Sequence, residues 1–282
     1  MTDTGFGPVV STGWLADRLG DPDLRIVDAT WYLPHLRRDA PAEFREAHVP
    51  GAVYFDIDAI ADRRQGLPHM LPDATTFAEG VGALGVGDGD RVVVYGGKHL
   101  IASARVWWTF RAFGHDRVAV LDGGFPRWRA EGRPVEAGAP SPTRRHFTAR
   151  FRPELVTALD AVRRNLETRA TQVVDARSAG RFAGTEPEPR AGVRSGRIPG
   201  SLNLPYDGLF RADGSLLPGG EIRRRLEDAR VDLARPIATT CGSGVSACVL
   251  ALGLHLAGCP DVAVYDGSWT EWGGRADVPV ER

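Results

Sequence analysis

Ile237-Ala238-Thr239-Thr240-Cys241-Gly242-Ser243-Gly244-Val245-Ser246-Ala247 joins a short β-branched strand to an apolar helix through a glycine-rich turn, and the strand stops on a thiol. Strands that pass through tight turns into helices are the repeating step of α/β folds, where parallel strands lie buried between helical layers. Glycines at 242 and 244 permit a loop whose backbone N–H groups converge on one point, and the helix beginning near Val245 adds its positive dipole end there. An anion belongs at that point. A thiol held at a helix N-terminus ionises below its free pKa of about 8.5 and becomes a nucleophile near neutral pH. Free cysteines also serve simply to fill core space. That account suits Cys248, inside the helix 245–257 among Val249, Leu250, Leu252, Leu254 and Leu256, and Cys259, between Gly258 and Pro260.

Outward from this run, the chain repeats itself. Leu24-Arg25-Ile26-Val27-Asp28-Ala29 returns as Thr171-Gln172-Val173-Val174-Asp175-Ala176, and His48-Val49-Pro50-Gly51-Ala52 as Arg197-Ile198-Pro199-Gly200-Ser201. Val118-Ala119-Val120-Leu121-Asp122-Gly123-Gly124 with Trp128 returns as Val262-Ala263-Val264-Tyr265-Asp266-Gly267-Ser268 with Trp272. These matches keep one order and lie 144–149 residues apart, which describes a duplicated domain and is too long for a solenoid period. Each half of the 282 residues suffices for its own core. Residues 136–145 have linker composition and no apolar periodicity, so the expected organisation is a first domain over 1–137, a linker over 138–152 and a second domain over 153–282.

Strands are expected at 24–29, 91–95 and 117–121 with a helix at 102–113, then strands at 172–176, 236–240 and 261–265 with a helix at 245–257. The fold class is α/β, two tandem domains each with a mostly parallel sheet flanked by helices. Ligands of such sheets bind beyond the carboxyl ends of the strands, where Cys241 stands. Aligning Val92-Val93-Val94-Tyr95 with Ala238-Thr239-Thr240 puts Gly96 opposite Cys241, so the first domain is expected to be inactive and at most to line a substrate groove.

A net charge of −1 with interspersed signs points to neither nucleic acid nor a polybasic membrane patch. No apolar run of about 18 residues and no signal-like start occur, which reads as a soluble cytoplasmic protein. The three cysteines lack metal-ligand spacing and a disulfide framework, so no metal is expected and a reducing compartment suits them. A single lysine, Lys98, stands against 34 arginines, so an individual arginine needs local reasons before it is read as a ligand.

Three chemistries use a thiolate at a strand-to-helix loop. Cysteine phosphatases need an arginine six residues after the nucleophile to clamp phosphoryl oxygens, and that position is Ala247. Acyl transfer needs a histidine base; His255 lies within the apolar helix, and His69 is a remote alternative. Gly242-Ser243-Gly244 is not a serine-hydrolase elbow either, since Cys241 occupies the first glycine position of that motif. Sulfur transfer needs no base: the thiolate takes a sulfur, holds it as a persulfide and passes it on, and backbone N–H donors favour both anions.

On these features the whole chain resembles the tandem-domain rhodanese family of sulfurtransferases, with its Val-Asp-Ala strand starts, Ile198-Pro199-Gly200-Ser201-Leu202-Asn203 and Asp266-Gly267-Ser268-Trp269. Cys241-Gly242-Ser243-Gly244-Val245 is similar to the active loop of the family's 3-mercaptopyruvate sulfurtransferases, with Ser246 where the loop more often has threonine. Thiosulfate sulfurtransferases of the family carry Arg-Lys in place of Gly242-Ser243, which suits a dianion; a neutral loop favours the monocarboxylate donor.

The resemblance implies Cys241 as nucleophile, Ser243 as a proton relay or hydrogen-bonding hydroxyl, and Gly242, Gly244, Val245 and Ser246 as the substrate-binding loop. It also implies Arg181 and Arg190, in Gly180-Arg181-Phe182 and Glu186-Pro187-Glu188-Pro189-Arg190, as holders of the donor's carboxylate and carbonyl. Asp58 and His69 match positions that approach the cleft from the first domain, although Asp58 also reads as a helix N-cap and His69 as a turn histidine between prolines. Lys98 and His99 match no family role.

The expected reaction moves sulfur from 3-mercaptopyruvate through a Cys241 persulfide to cyanide, a small thiol or a reduced thioredoxin-like protein, releasing pyruvate without metal or organic cofactor. Two alternatives stand beside it: a thiosulfate donor, and a persulfide carrier or docking module with negligible turnover.

Overall fold

Runs of four or five β-branched and apolar residues bounded by Gly, Pro and Asp form the sheets, described here from a computed structural model that covers residues 5–33, 36–97 and 100–282. Lys98 and His99 lie outside the described residues.

The first unit contains β1 (Val9–Val10), α1 (Thr12–Ala16), β2 (Leu24–Asp28), α2 (Ala40–Glu46), β3 (Ala52–Tyr54), α3 (Ala74–Ala83), β4 (Arg91–Tyr95), α4 (Ile101–Ala112), β5 (Val118–Leu121) and α5 (Gly124–Ala130). The second contains β6 (Val156–Thr157), α6 (Leu159–Thr168), β7 (Gln172–Asp175), α7 (Ala179–Ala183), β8 (Leu202–Asn203), α8 (Gly219–Asp228), β9 (Ile237–Thr240), α9 (Ala247–Leu256), β10 (Ala263–Tyr265) and α10 (Ser268–Gly274). Each sheet has five parallel strands, in the orders β1-β5-β4-β2-β3 and β6-β10-β9-β7-β8, so the duplication read from the repeats extends to topology. The inner strands β4 and β9 are buried at every position, as strands covered on both faces must be. Helices α4 and α9 are buried nearly all round; α4 packs on β4 and β5, and α9 on β9, β10 and α8. Among the described residues no helix is long and apolar enough to cross a membrane.

Helix starts follow local chemistry. Ser11, Asp39 and Asp73 accept hydrogen bonds from backbone N–H groups three residues on, at 3.1, 2.9 and 2.8 Å. No helix begins at Asp58, and Asp56 takes the N–H groups of Asp58 and Ala59, at 2.8 and 3.1 Å.

The segment with linker composition is not loose throughout. The Arg145 N–H donates to Gly82 O at 2.9 Å, Thr148 donates to Asp88 from both N and Oγ1, and Phe147 meets Phe77 edge-on with centroids 5.6 Å apart. A Cβ on Gly82 would stand 2.6 Å from Arg145 O, so glycine is what admits this strap to α3.

Each compact unit also includes a short piece from the other half of the sequence: Asp62–Leu71 belongs with the second unit and Ala212–Leu216 with the first. The pieces are held alike. Asp266, after β10, accepts the Leu71 N–H at 2.7 Å, and Asp122, after β5, accepts the Leu216 N–H at 2.9 Å. The repeated Asp-Gly thus has a structural role that its sequence context does not announce.

Candidate active site

Cys241 follows β9 directly, and its loop is held through the backbone. Its N–H donates to Ser268 Oγ at 3.2 Å, its carbonyl accepts from the Trp269 N–H at 2.9 Å, and Gly242 O accepts from Thr270 N and Oγ1 at 2.8 and 2.6 Å. Ser268 is buried at φ +50°, a left-handed conformation costly for a residue with a Cβ. Three hydrogen bonds hold it there, since its Oγ also accepts from Thr240 Oγ1 at 3.3 Å and donates to Tyr265 O at 2.7 Å. Gly244 turns the loop at φ +75°, and α9 begins two residues later than the sequence suggests, at Ala247. Cys241 is buried, as are Ser243, Gly244 and Val245; Ser246 is half-buried at the N-cap of α9.

An arginine stands over this loop. A Cβ on Gly242 would lie 2.9 Å from Arg181 Nη2, so the guanidinium of α7 and the turn after Cys241 are in near contact. Ser178 Oγ accepts the Arg181 N–H at 3.4 Å and starts the helix. The side chain of Arg181 is not wholly available to a ligand: Nε and Nη2 donate to Glu188 at 3.2 and 2.6 Å. Glu188 also accepts from Arg177 Nη1 at 2.8 Å, while Arg177 donates to Asp175 at 2.7–3.1 Å and to Gly196 O at 2.8 Å. Arg177 and Asp175 have no exposed side-chain area. Burial works against the charge on Arg177, but Asp175 and then Glu188 outweigh it and raise its pKa above the usual arginine value. Its guanidinium lies 4.4 Å from the centre of the Trp269 ring, whose backbone N–H binds Cys241.

Sequence reasoning passed over Arg177 and gave Glu188 and Ser268 no role. Little could have flagged Arg177 among 34 arginines beyond its place two residues after Asp175 in the repeated strand. Tyr206 was also missed. Its N–H donates to Ala176 O at 3.1 Å, and Ala176 N–H donates to Thr240 O at 2.8 Å, so the turn after β8 is tied to the strand end carrying Cys241. Burial, then the charges of Asp207 and Cys241, raise the Tyr206 pKa, against Arg181.

Other expected residues are placed less directly. Arg190 is half-buried at the end of the 186–190 segment. His69 was expected from the first domain but lies in the Asp62–Leu71 piece of the second unit, buried, at φ +59°, two residues before the Leu71 N–H that binds Asp266. This puts it near the carboxyl edge of the sheet that carries Cys241. Asp58 remains in the first unit, where its Oδ2 accepts from Trp31 Nε1 at 3.0 Å.

A family model for the rhodanese-like domain matches residues 11–131 and again 158–275. The chain is 47% identical over 297 residues to the mitochondrial thiosulfate/3-mercaptopyruvate sulfurtransferase 1 of Arabidopsis thaliana, covering 97% of this chain and 78% of that protein. It is 47% identical over 274 residues to the 3-mercaptopyruvate sulfurtransferase of Homo sapiens, covering 95% and 92%. The crystal structure of SseA from Escherichia coli, a 3-mercaptopyruvate sulfotransferase, superposes with a TM-score of 0.85 at 37% identity, covering 93% of this chain and 98% of that one. With both halves matched and relatives similar along nearly their whole length, the chain belongs to the rhodanese-like family, as a member with two such domains in tandem.

Proposed function

We propose that the protein is a sulfurtransferase that takes sulfur from 3-mercaptopyruvate onto Cys241 and passes it to a thiol or cyanide. The observation that carries this reading is the loop itself: Cys241 stands at a strand end in a loop held by backbone hydrogen bonds, Arg181 lies against Gly242, and Ala247 leaves no phosphate-clamping arginine. The Cys241 thiolate attacks the donor sulfur, the sulfur–carbon bond breaks with its electrons on the departing enolate, and the proton of the donor thiol ends on that carbon to give pyruvate. Cys241 then carries an anionic persulfide whose outer sulfur the acceptor removes. Arg181 and Arg190 hold the donor's carboxylate and carbonyl, and Ser243 supplies a hydroxyl beside the sulfur. The finer assignments follow the sequence: a reduced thioredoxin-like protein among the acceptors, and the cytoplasm as workplace, in keeping with three cysteines that are all thiols.

A single-turnover reaction tests it. Mixing with 3-mercaptopyruvate should add about 32 Da to Cys241 and release one pyruvate per label, and Cys241→Ser should do neither. The name of the Arabidopsis relative includes thiosulfate, so that donor is run in parallel. Faster labelling by thiosulfate would exchange the donor, and no label from either would leave a carrier that is charged by another protein.

A further inference from the structure

We propose that Glu188 is the positioning residue for donor recognition, aiming Arg181 at the donor carboxylate; this rests on the mercaptopyruvate reading above. An arginine has five N–H donors in a rigid fork. Glu188 occupies the side edge, taking Nε and Nη2, so the edge left for a ligand is the terminal one formed by Nη1 and the outer Nη2 hydrogen. That edge is the one beside Gly242 and the nucleophile loop.

Glu188 can hold such an aim because it is itself fixed. Its side chain is only 4% exposed, and its Oε1 is shared with Arg177, which is anchored on Asp175 and Gly196. From Arg177 one arm runs through Glu188 to Arg181, and another runs through the Trp269 ring to the Cys241 carbonyl. The substrate-binding cation and the nucleophile are therefore referenced to one buried group. Asp175, Arg177, Glu188 and Arg181 also sum to zero charge, so a single carboxylate arriving at the terminal edge meets a cation whose side edge is already neutralised.

Glu188→Gln keeps the shape but turns an N–H₂ group toward one of the two guanidiniums. The mercaptopyruvate concentration giving half-maximal labelling of Cys241 should rise about 10–100-fold, the effect of misaiming a charge-assisted pair, while the limiting rate changes less than about threefold. Alkylation of Cys241 by iodoacetamide, a neutral reagent that needs no carboxylate site, should be unchanged. In an Arg181→Met background the same replacement should add less than about twofold, because Glu188 then has nothing to aim.

Slower alkylation in proportion to the loss of labelling would overturn the proposal, since Glu188 would then be holding the loop. Multiplying effects in the double variant would overturn it too. Should the glutamine variant not fold, Glu188→Asp carries the same test, because a carboxylate one methylene shorter cannot reach both guanidiniums. Wild-type protein that mercaptopyruvate never labels would overturn the donor reading and this one with it. Labelled wild type with multiplying variants overturns the role of Glu188 alone.

Discussion

Ser268 offers a test in which stability and chemistry are predicted separately. It is buried, left-handed, and bonded to Cys241 N, Thr240 Oγ1 and Tyr265 O. Ser268→Ala leaves the Cys241 N–H buried without its acceptor, a loss of about 1–3 kcal/mol, and keeps a Cβ in the left-handed region. Ser268→Gly loses the same hydrogen bonds but relieves a backbone cost of about 1–2 kcal/mol, of which glycine's freedom in the unfolded chain takes back about 0.5–1. The glycine variant should therefore be the more stable of the two by roughly 0.5–1 kcal/mol, although both fall below wild type. Single-turnover labelling should drop about 10–100-fold in both, because the nucleophile loses the bond that fixes its backbone and small displacements of a reacting atom are costly.

Urea unfolding followed by tryptophan fluorescence reads the first effect. Trp269 and Trp272 report on the second unit, whose transition is compared alone because two units need not unfold together. An alanine variant more stable than the glycine one would refute the claim that hydrogen bonds hold Ser268 against its backbone preference. Wild-type labelling rates in either variant would refute the claim that Ser268 fixes the nucleophile.

Burial raises the pKa of Asp28 above its ordinary value, against hydrogen bonds from Thr30 and Tyr95. A carboxyl whose folded pKa exceeds its unfolded one binds its proton more tightly when folded; its contribution is fully present below the unfolded pKa of about 4 and is lost as pH rises through the folded value. Asp28→Asn, which retains the oxygen that accepts from the Thr30 N–H at 2.7 Å, should thus raise the melting temperature near neutral pH and leave it little changed at about pH 3.5. Gly242→Ala places a methyl 2.9 Å from Arg181 Nη2, which Glu188 restrains, so half-saturation by mercaptopyruvate should rise about 3–10-fold without loss of folding; unchanged half-saturation would mean that Arg181 is not part of the donor site. Gly96→Cys meets only ordinary contacts, with Ser103 Oγ at 3.5 Å and Ala29 at 3.6 Å, and should cost less than about 1 kcal/mol; intact mass should still show one persulfide per chain, and a second would mean that a thiol at that strand end is sufficient.

What the sequence made legible was whatever repeats on a short period or follows from one residue's chemistry. The β-branched runs mark β4 at its limits and β9 within one residue, and Gly242 and Gly244 mark the loop. Long-range pairings were hidden. Nothing local in Asp62–Leu71 says that it packs with the second unit, because the deciding bond, from the Leu71 N–H to Asp266, joins residues 195 apart. The strap around Phe147 follows Pro140 and Pro142 and is aperiodic, so the stretch reads as linker while Gly82 and Asp88 hold it down. Arg177 was invisible for a related reason: its importance comes from complete burial between two carboxylates, and its sequence shows only one more arginine in an arginine-rich chain.

The two units separate what the fold provides from what the chemistry adds. The Phe125 N–H binds Gly96 O at 3.0 Å where the Trp269 N–H binds Cys241 O at 2.9 Å, and the Ala29 N–H binds Tyr95 O at 2.8 Å where the Ala176 N–H binds Thr240 O at 2.8 Å. The carboxyl edge is therefore built by the same backbone bonds in both sheets, with or without a thiol. Side chains make the difference. Thr30 stands where Arg177 does, so Asp28 and Asp175 each accept the backbone N–H two residues on, but Asp175 also faces the Arg177 guanidinium, whereas burial pushes Asp28 toward its neutral form. Gly124, at φ +58°, stands where Ser268 does, and a Cβ there would be 2.4 Å from Gly96 O. A thiol could be added to the first unit at little steric cost, but the hydroxyl that ties the nucleophile's N–H could not enter without opening that contact. The asymmetry of the repeat thus lies in the support of the nucleophile as much as in the nucleophile itself.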